Sequence, residues 1–526
     1  MNPSPGAAPT ALLSHQITGS RRAWALAGVM LVMFISVLAS TIVANSAPTM
    51  VDELHGVNLY AWVFASFTLA ATICVPVVGK LSDLLGRRIF YLIGLVAFIA
   101  GSVGCAAAQN MPELIAGRVV TGAGGGAMLA LTGATIGDIF PPRERAKWMG
   151  LIMTNYGIGS MMGPIVGGVI ADQFGWRWTF LVTVPLAVLA LFVLGAVLPR
   201  VRRPGKPTVD WLGIALLSLG LLGALIALTV GGVSLPWLSA QVIVTGLFGV
   251  VMLAVFAAHQ LRTREPLMSP HLFRNSVFLH AVGLSFLIRM VFFGLLTFFP
   301  LYLQGVRGET AQDAGLQLLP LMAAFVVGNV VSGQTISRTG HYHWNAVIGP
   351  VIVVAGMAVA VTLTPASSLA SAYGAMALLG LGVGTVFPLA STVVQSAFPY
   401  SMLGAANSSR QFFDNLGQVI GISVMTTLTI GRFTSELASR LPASAAVSHA
   451  VDRGATQGLL SSRGQAALAS TLDHLPGGVV SGASRLLHDS LGAGLDAAFW
   501  FGLVVAVLAV AVGSRLPEMP LRTTHD

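Results

Sequence analysis

What most limits the fold of this chain is the recurrence of apolar stretches, each about 18 to 25 residues long and nearly free of charge. At 1.5 Å of rise per residue, a helix of that length covers the roughly 30 Å of hydrocarbon in a bilayer. Of 526 residues, 55% are hydrophobic and 9% charged, with a mean hydropathy of +0.81, more apolar surface than a soluble core of this size hides. Lipid is therefore the solvent for most of the chain, and the expected class is an all-α polytopic membrane protein.

Fourteen spans are predicted, beginning at Ala23, Val57, Ile89, Leu114, Trp148, Trp178, Trp211, Leu238, Phe278, Leu316, Asn345, Leu369, Gly404 and Ala497. An even count puts both termini on one side. The first twenty residues are polar, with no cleavage pattern, so the first span stays as an anchor flanked by Arg21 and Arg22.

The net charge of +9 is unevenly distributed. Of 28 Lys and Arg, 18 fall in the tails and loops of the terminal side, among them Lys80, Arg143, Arg145, Lys147, Arg202 and Arg203. The short loops of the other side hold only Arg177 and Arg307. The positive-inside rule makes both termini cytoplasmic, in a multi-pass protein of the cytoplasmic (inner) membrane. The basic balance thus reports topology and gives no reason to expect nucleic acid. Cys74 and Cys105 lie in apolar spans and read as free thiols. His341 and His343 have no carboxylate or thiol nearby in sequence, so no metal site is expected. No phosphate-binding loop occurs, and no nucleophile, base and acid can be assembled within the spans. Neither an enzyme nor a cofactor is expected; energy must come from an ion gradient.

The chain also repeats itself at an offset of about 258 residues. Gly122, Gly124 and Gly126 correspond to Gly380, Gly382 and Gly384; Phe140-Pro141 to Phe398-Pro399; Gly159 and Gly163 to Gly417 and Gly421. Gly79 and Gly86 match Gly333 and Gly340. The organisation expected is a polar N-terminus (1–20), a six-helix half (21–200), two inserted helices (201–262), a second six-helix half (263–512) with a long extracytoplasmic loop (431–496), and a cytoplasmic tail (513–526). Two such halves around a central cavity is a transporter architecture.

Two motifs carry a resemblance. The segment G-K-L-S-D-L-L-G-R-R contains Gly79, Asp83, Gly86, Arg87 and Arg88, and it follows the second span. Asp83 can pair there with Arg87 or Arg88 to latch helices that must slide. Gly150, Gly159, Gly163, Pro164, Gly167 and Gly168 then give G-x8-G-x3-G-P-x2-G-G in the fifth span, where glycines let a neighbouring helix approach and proline removes a backbone donor. With P-P-R-E-R-A-K after Phe140, W-R-W-T-F at Trp176 and D-W-L-G at Asp210, the chain resembles the fourteen-span drug:proton antiporter branch of the major facilitator superfamily. The resemblance implies that superfamily's fold with two extra central helices, a gating role for the 79–88 loop, and proton antiport.

The chain departs from that pattern at three places. Ala39 stands where the first-span motif usually has aspartate, Thr121 follows Arg118 where glutamine is usual, and Asp414 stands where many relatives have arginine. Arg118 resembles the proton-relay arginine of the superfamily. Charges inside spans are costly and are functional candidates. Asp414 is read as the only carboxylate well inside a span, with Arg410 one turn earlier and Arg289 as a further partner. Either Asp414 carries the proton, or it neutralises an arginine and fixes helix packing.

The expected function is proton-coupled efflux of hydrophobic or amphipathic small molecules, cationic compounds included, by a monomeric antibiotic-resistance transporter. The alternatives are export of an endogenous lipid or secondary metabolite, and a membrane sensor that keeps the fold without transport.

Overall fold

In the computed structural model the residues described are 19–43, 46, 50, 53–54, 59–140, 142–199, 210–231, 235, 237–263, 266–309, 311–364, 367–398, 402–440 and 483–519. They form helices α1 (Ser20–Thr41), α2 (Tyr60–Leu85), α3 (Arg87–Ala107), α4 (Met111–Ile139), α5 (Pro142–Phe174), α6 (Arg177–Leu181), α7 (Thr183–Val197), α8 (Trp211–Val230), α9 (Ala240–Gln260), α10 (Ser276–Gly305), α11 (Ala311–Gln317), α12 (Leu319–Thr339), α13 (His343–Val361), α14 (Leu369–Ala397), α15 (Leu403–Arg440) and α16 (Ala483–Ser514). Among the described residues thirteen helical segments are long and apolar enough to cross a membrane, Arg177–Val197 and Asp313–Thr339 each being one segment with an internal break. The remaining expected span is α5, 33 residues long and diluted in hydropathy by its glycines.

Helix starts follow capping chemistry. Asn110 accepts from the Glu113 amide at 3.0 Å while Glu113 accepts from the Gln109 amide at 2.8 Å, a reciprocal box that opens α4. Asp210, Ser239, Asn275 and Ser368 cap α8, α9, α10 and α14 by accepting from backbone amides.

Contacts between connections sort the loops onto two ends of the bundle. Arg22 at the start of α1 pairs with Glu144 of α5 at 3.3 Å, and Glu518 in the tail meets His341 at 2.9 Å. These two contacts mark the basic end of the bundle. At the opposite end Glu53 accepts from the Trp176 indole at 2.7 Å and from Arg177, and Tyr302 donates to the Thr364 carbonyl at 3.0 Å. The hydrogen bonds from Arg177 and then Trp176 hold the Glu53 carboxyl below the usual carboxylate range.

The repeated glycines make equivalent contacts in the two halves. A β-carbon on Gly122 or Gly126 would run into the backbone of Phe67 or Ala71 on α2, and one on Gly124 would lie 2.5 Å from the Gly94 carbonyl oxygen on α3. A β-carbon on Gly380 or Gly384 would likewise meet the backbone of Leu321 or Phe325 on α12, and one on Gly382 would lie 2.6 Å from the Gly349 oxygen on α13. Both α4 and α14 are thus wedged between two neighbours by backbone-to-backbone approach, which only residues without a side chain permit.

Two boundaries differ from the sequence reading. α15 continues ten residues past Ile430 to Arg440, and α16 begins at Ala483, so both flanks of the expected loop 431–496 are helical. The polar and charged residues there dilute hydropathy, while Ala, Leu, Glu and Arg among them are good helix formers, and Arg440 pairs with Glu436 one turn away at 2.9 Å. Residues 441–482 lie outside the described residues.

α8 and α9 form a hairpin joined through Gly220, Gly223 and Gly249. Leu217, Leu221 and Leu225 make a stripe on α8 that packs against Ala65 and Leu69 of α2 and Phe412 of α15. At the opposite end Trp237 donates to Thr427 at 2.9 Å and Ser423 donates to the Leu228 carbonyl at 2.6 Å, both bonds to α15.

Candidate coupling and gating sites

Asp414 lies in the first third of α15, fully buried. Arg410, one turn earlier, donates to its carboxylate, as does the Ser285 hydroxyl of α10, and Arg289 of α10 stands 3.4 Å away. Arg410 also reaches Asn407 and Gln411, each at 3.4 Å. The Arg289 guanidinium lies 3.9 Å over the Phe387 ring of α14 and 5.8 Å from that of Tyr156. Tyr156 belongs to α5, so Arg289 sits where the two halves meet. One carboxylate therefore serves two arginines.

Arg118 is held elsewhere, in the first half. Its Nε donates to the Val63 carbonyl at 2.9 Å, an Nη donates to the Ala39 carbonyl at 3.2 Å, and the group lies 4.5 Å over the Phe67 ring. Where the family pattern leads one to expect an aspartate side chain, the guanidinium meets the backbone of Ala39. Thr121 turns its hydroxyl back to the Gly117 carbonyl at 2.8 Å.

In the 79–88 segment, Gly86 has φ +95°, a backbone turn that lets α2 stop and α3 start at the same residue. Arg87 is the residue that pairs with Asp83, at 3.2 Å, and it also grips Asp138 in the last turn of α4, with one bond at 3.0 Å. The Gly79 carbonyl accepts from Ser82 at 2.8 Å, and Arg88 is half-buried. Asp138 and Arg87 are 51 residues apart in sequence.

The fifth-span glycines divide between two neighbours. Gly159, Gly163 and Gly167 recur every fourth residue and face α1, where β-carbons on the last two would strike Thr41 and Ile42. Gly150 faces the other half, and a β-carbon there would lie 2.9 Å from the Asn329 carbonyl oxygen of α12. Pro164 and Gly168 lie within the same helix.

Two acidic residues gain weight from the structure. Asp496, assigned to a loop by sequence, lies within α16 and is half-buried, so Asp414 is not the only carboxylate inside these helices. Asp210 caps α8 and also accepts from His259 at 2.8 Å and Gln260 at 2.7 Å on α9, with its side chain 5% exposed. Burial raises its carboxyl, but the bonds from His259, the Gly213 amide and Gln260 outweigh it and hold the group below the usual range. A lowered carboxyl contributes stability above its unfolded value, about 3.9, and loses it as pH falls through the folded value. Asp210→Ala is therefore expected to cost about 1 to 3 kcal/mol at neutral pH. Thermal unfolding in detergent should show the deficit, and it should shrink below about pH 4.

The Major Facilitator Superfamily pattern matches residues 29–422. The chain is 32% identical over 512 residues to the multidrug transporter protein MdtP of Bacillus subtilis, covering 95% of this chain and 94% of that one. It is 31% identical over 505 residues to multidrug resistance protein 3 of the same organism, covering 95% and 96%. Among solved structures, that of the human organic anion transporter MFSD10 superposes with a TM-score of 0.62 at 15% identity, covering 94% of this chain and 99% of that one; at this identity the likeness concerns the fold. The all-helical bundle, the paired halves and these matches agree: the chain belongs to the major facilitator superfamily and is a multi-pass membrane transporter, not an enzyme.

Proposed function

We propose that the chain exports hydrophobic or amphipathic small molecules across the cytoplasmic membrane by proton-coupled alternating access. The observation that carries this reading is the divided glycine stripe of α5. One set of glycines fits α1 and Gly150 fits α12 of the other half, so a single helix links packing within one half to the approach of its partner. Close approach at the basic end leaves the halves free to separate at the opposite end, and a rocking motion exchanges the two. The multidrug relatives, similar over nearly their whole length, support a drug-like cargo. Arg118 bonded to carbonyls rather than to a carboxylate favours a cargo that is not a cation, which keeps an endogenous lipid or metabolite as the second reading. In inverted vesicles, an acid interior is expected to drive accumulation of exported dyes, and dissipating the gradient to abolish it. Accumulation indifferent to the gradient would refute proton coupling.

The proposed orientation has its own test. Ser82, in the last turn of α2, is buried and unsuited to labelling, whereas Gln109 and His341 are exposed at opposite ends. In a background lacking Cys74 and Cys105, a cysteine at 109 is expected to react with an impermeant maleimide on intact cells and one at 341 only after permeabilisation. The reverse pattern would invert the topology.

A further inference from the structure

Apart from Asp138, which is paired with Arg87, the fully buried charges among the described residues do not balance. Arg289, Arg410 and Arg118 are 4%, 2% and 1% exposed, and the carboxylate among them is that of Asp414. Asp414 neutralises one charge of the Arg289 and Arg410 pair. Arg118 is met by two carbonyl oxygens and a ring face, dipoles and a quadrupole that orient a guanidinium without cancelling its charge. An uncompensated cation in low dielectric is costly, and an anion that reaches it recovers that cost.

Arg289 is the arginine placed to receive one. Arg410 and Ser285 bond to Asp414 directly, whereas Arg289 stands farther off at 3.4 Å; the buried Nε of each arginine has no hydrogen-bond partner. Around it are the rings of Phe387 at 3.9 Å, Tyr156 at 5.8 Å and Phe293 at 6.0 Å, drawn from both halves. A planar guanidinium binds carboxylate or sulfonate through paired N–H groups, and the rings beside it stack on an aromatic body. A cation at the same place meets a fixed positive charge.

We propose that the cargo is an amphipathic organic anion, its charged group held by Arg289 and its ring by Tyr156, Phe293 and Phe387. Its role as cargo rests on the export reading above; the binding site does not. The test uses two dyes of one scaffold and opposite charge, fluorescein and rhodamine 123, binding the purified full chain in a nonionic detergent at neutral pH, read by fluorescence anisotropy. Fluorescein is expected to bind at least about tenfold more tightly than rhodamine 123. Arg289→Gln, which leaves Arg410 on Asp414, should erase that preference while eluting as the parent does, and Arg289→Lys should recover part of it. Equal affinities, tighter rhodamine binding, no fluorescein binding, or a preference that survives Arg289→Gln would each overturn the proposal. Fluorescein that binds but does not move in proteoliposomes under either pH gradient would instead overturn the export reading and leave the anion site standing.

Discussion

Asp414→Asn is expected to reduce pH-driven transport to background while substrate exchange across a membrane without a gradient persists. An antiporter must release its proton in one conformation and take it up in another, and Asp414 is the carboxylate that two arginines and a serine converge on. The substitution also strips both arginines of their counter-charge, so a stability loss of about 3 to 5 kcal/mol accompanies it. A purely structural pair gives the same loss of stability, so the single variant does not separate the two roles. The double variant Asp414→Asn/Arg410→Gln removes one charge of each sign, leaves Arg289 in place and is expected to recover folding. If it also recovers pH-driven transport, Asp414 is only a neutralising partner, and coupling passes to another carboxylate, with Asp496 of α16 the first to test.

Gly163→Leu is expected to abolish transport while leaving membrane insertion intact. A β-carbon at 163 collides with the Thr41 side chain and lies 3.0 Å from the Ile42 nitrogen, so α1 must move away from α5 to admit a leucine. Overpacking of this kind costs about 1 to 3 kcal/mol or more, and the strain falls on the helix that also touches the other half. Gly104→Leu serves as the control, because nothing lies within 4 Å of a β-carbon there; it should transport as the parent does. Normal transport by Gly163→Leu at parental expression would dismiss the glycine stripe as a moving contact.

Much of the fold was legible because hydrocarbon imposes a length on every crossing and close helix contact imposes glycine. The pairing of Gly122, Gly124 and Gly126 with Gly380, Gly382 and Gly384 was visible in sequence, and both triplets do the same work in space. Arg410 with Asp414 was legible too, since one helical turn fixes their proximity. Contacts between helices were not. Nothing along the chain links Arg87 to Asp138, and whether Arg289 belonged to Asp414 depended on how α10 is rotated against α15. The helices α15 and α16 reach beyond the expected span ends because a helix that outruns the apolar zone takes on polar residues and lowers a hydropathy count. Asp496 was overlooked for the same reason.

The α8–α9 hairpin touches both halves, but through different kinds of contact. Toward α15 it is fastened by directional bonds at Trp237 and Ser423, which break if the partners slide; toward α2 it presents leucines to Ala65 and Leu69, a greased surface with many nearly equivalent registers. In any rocking of one half against the other, the hairpin must therefore ride as a passenger of the second half while the first glides beneath it. Were the halves to rock so, the hairpin would keep the joint between α2 and α15 covered, as a sleeve covers a bearing.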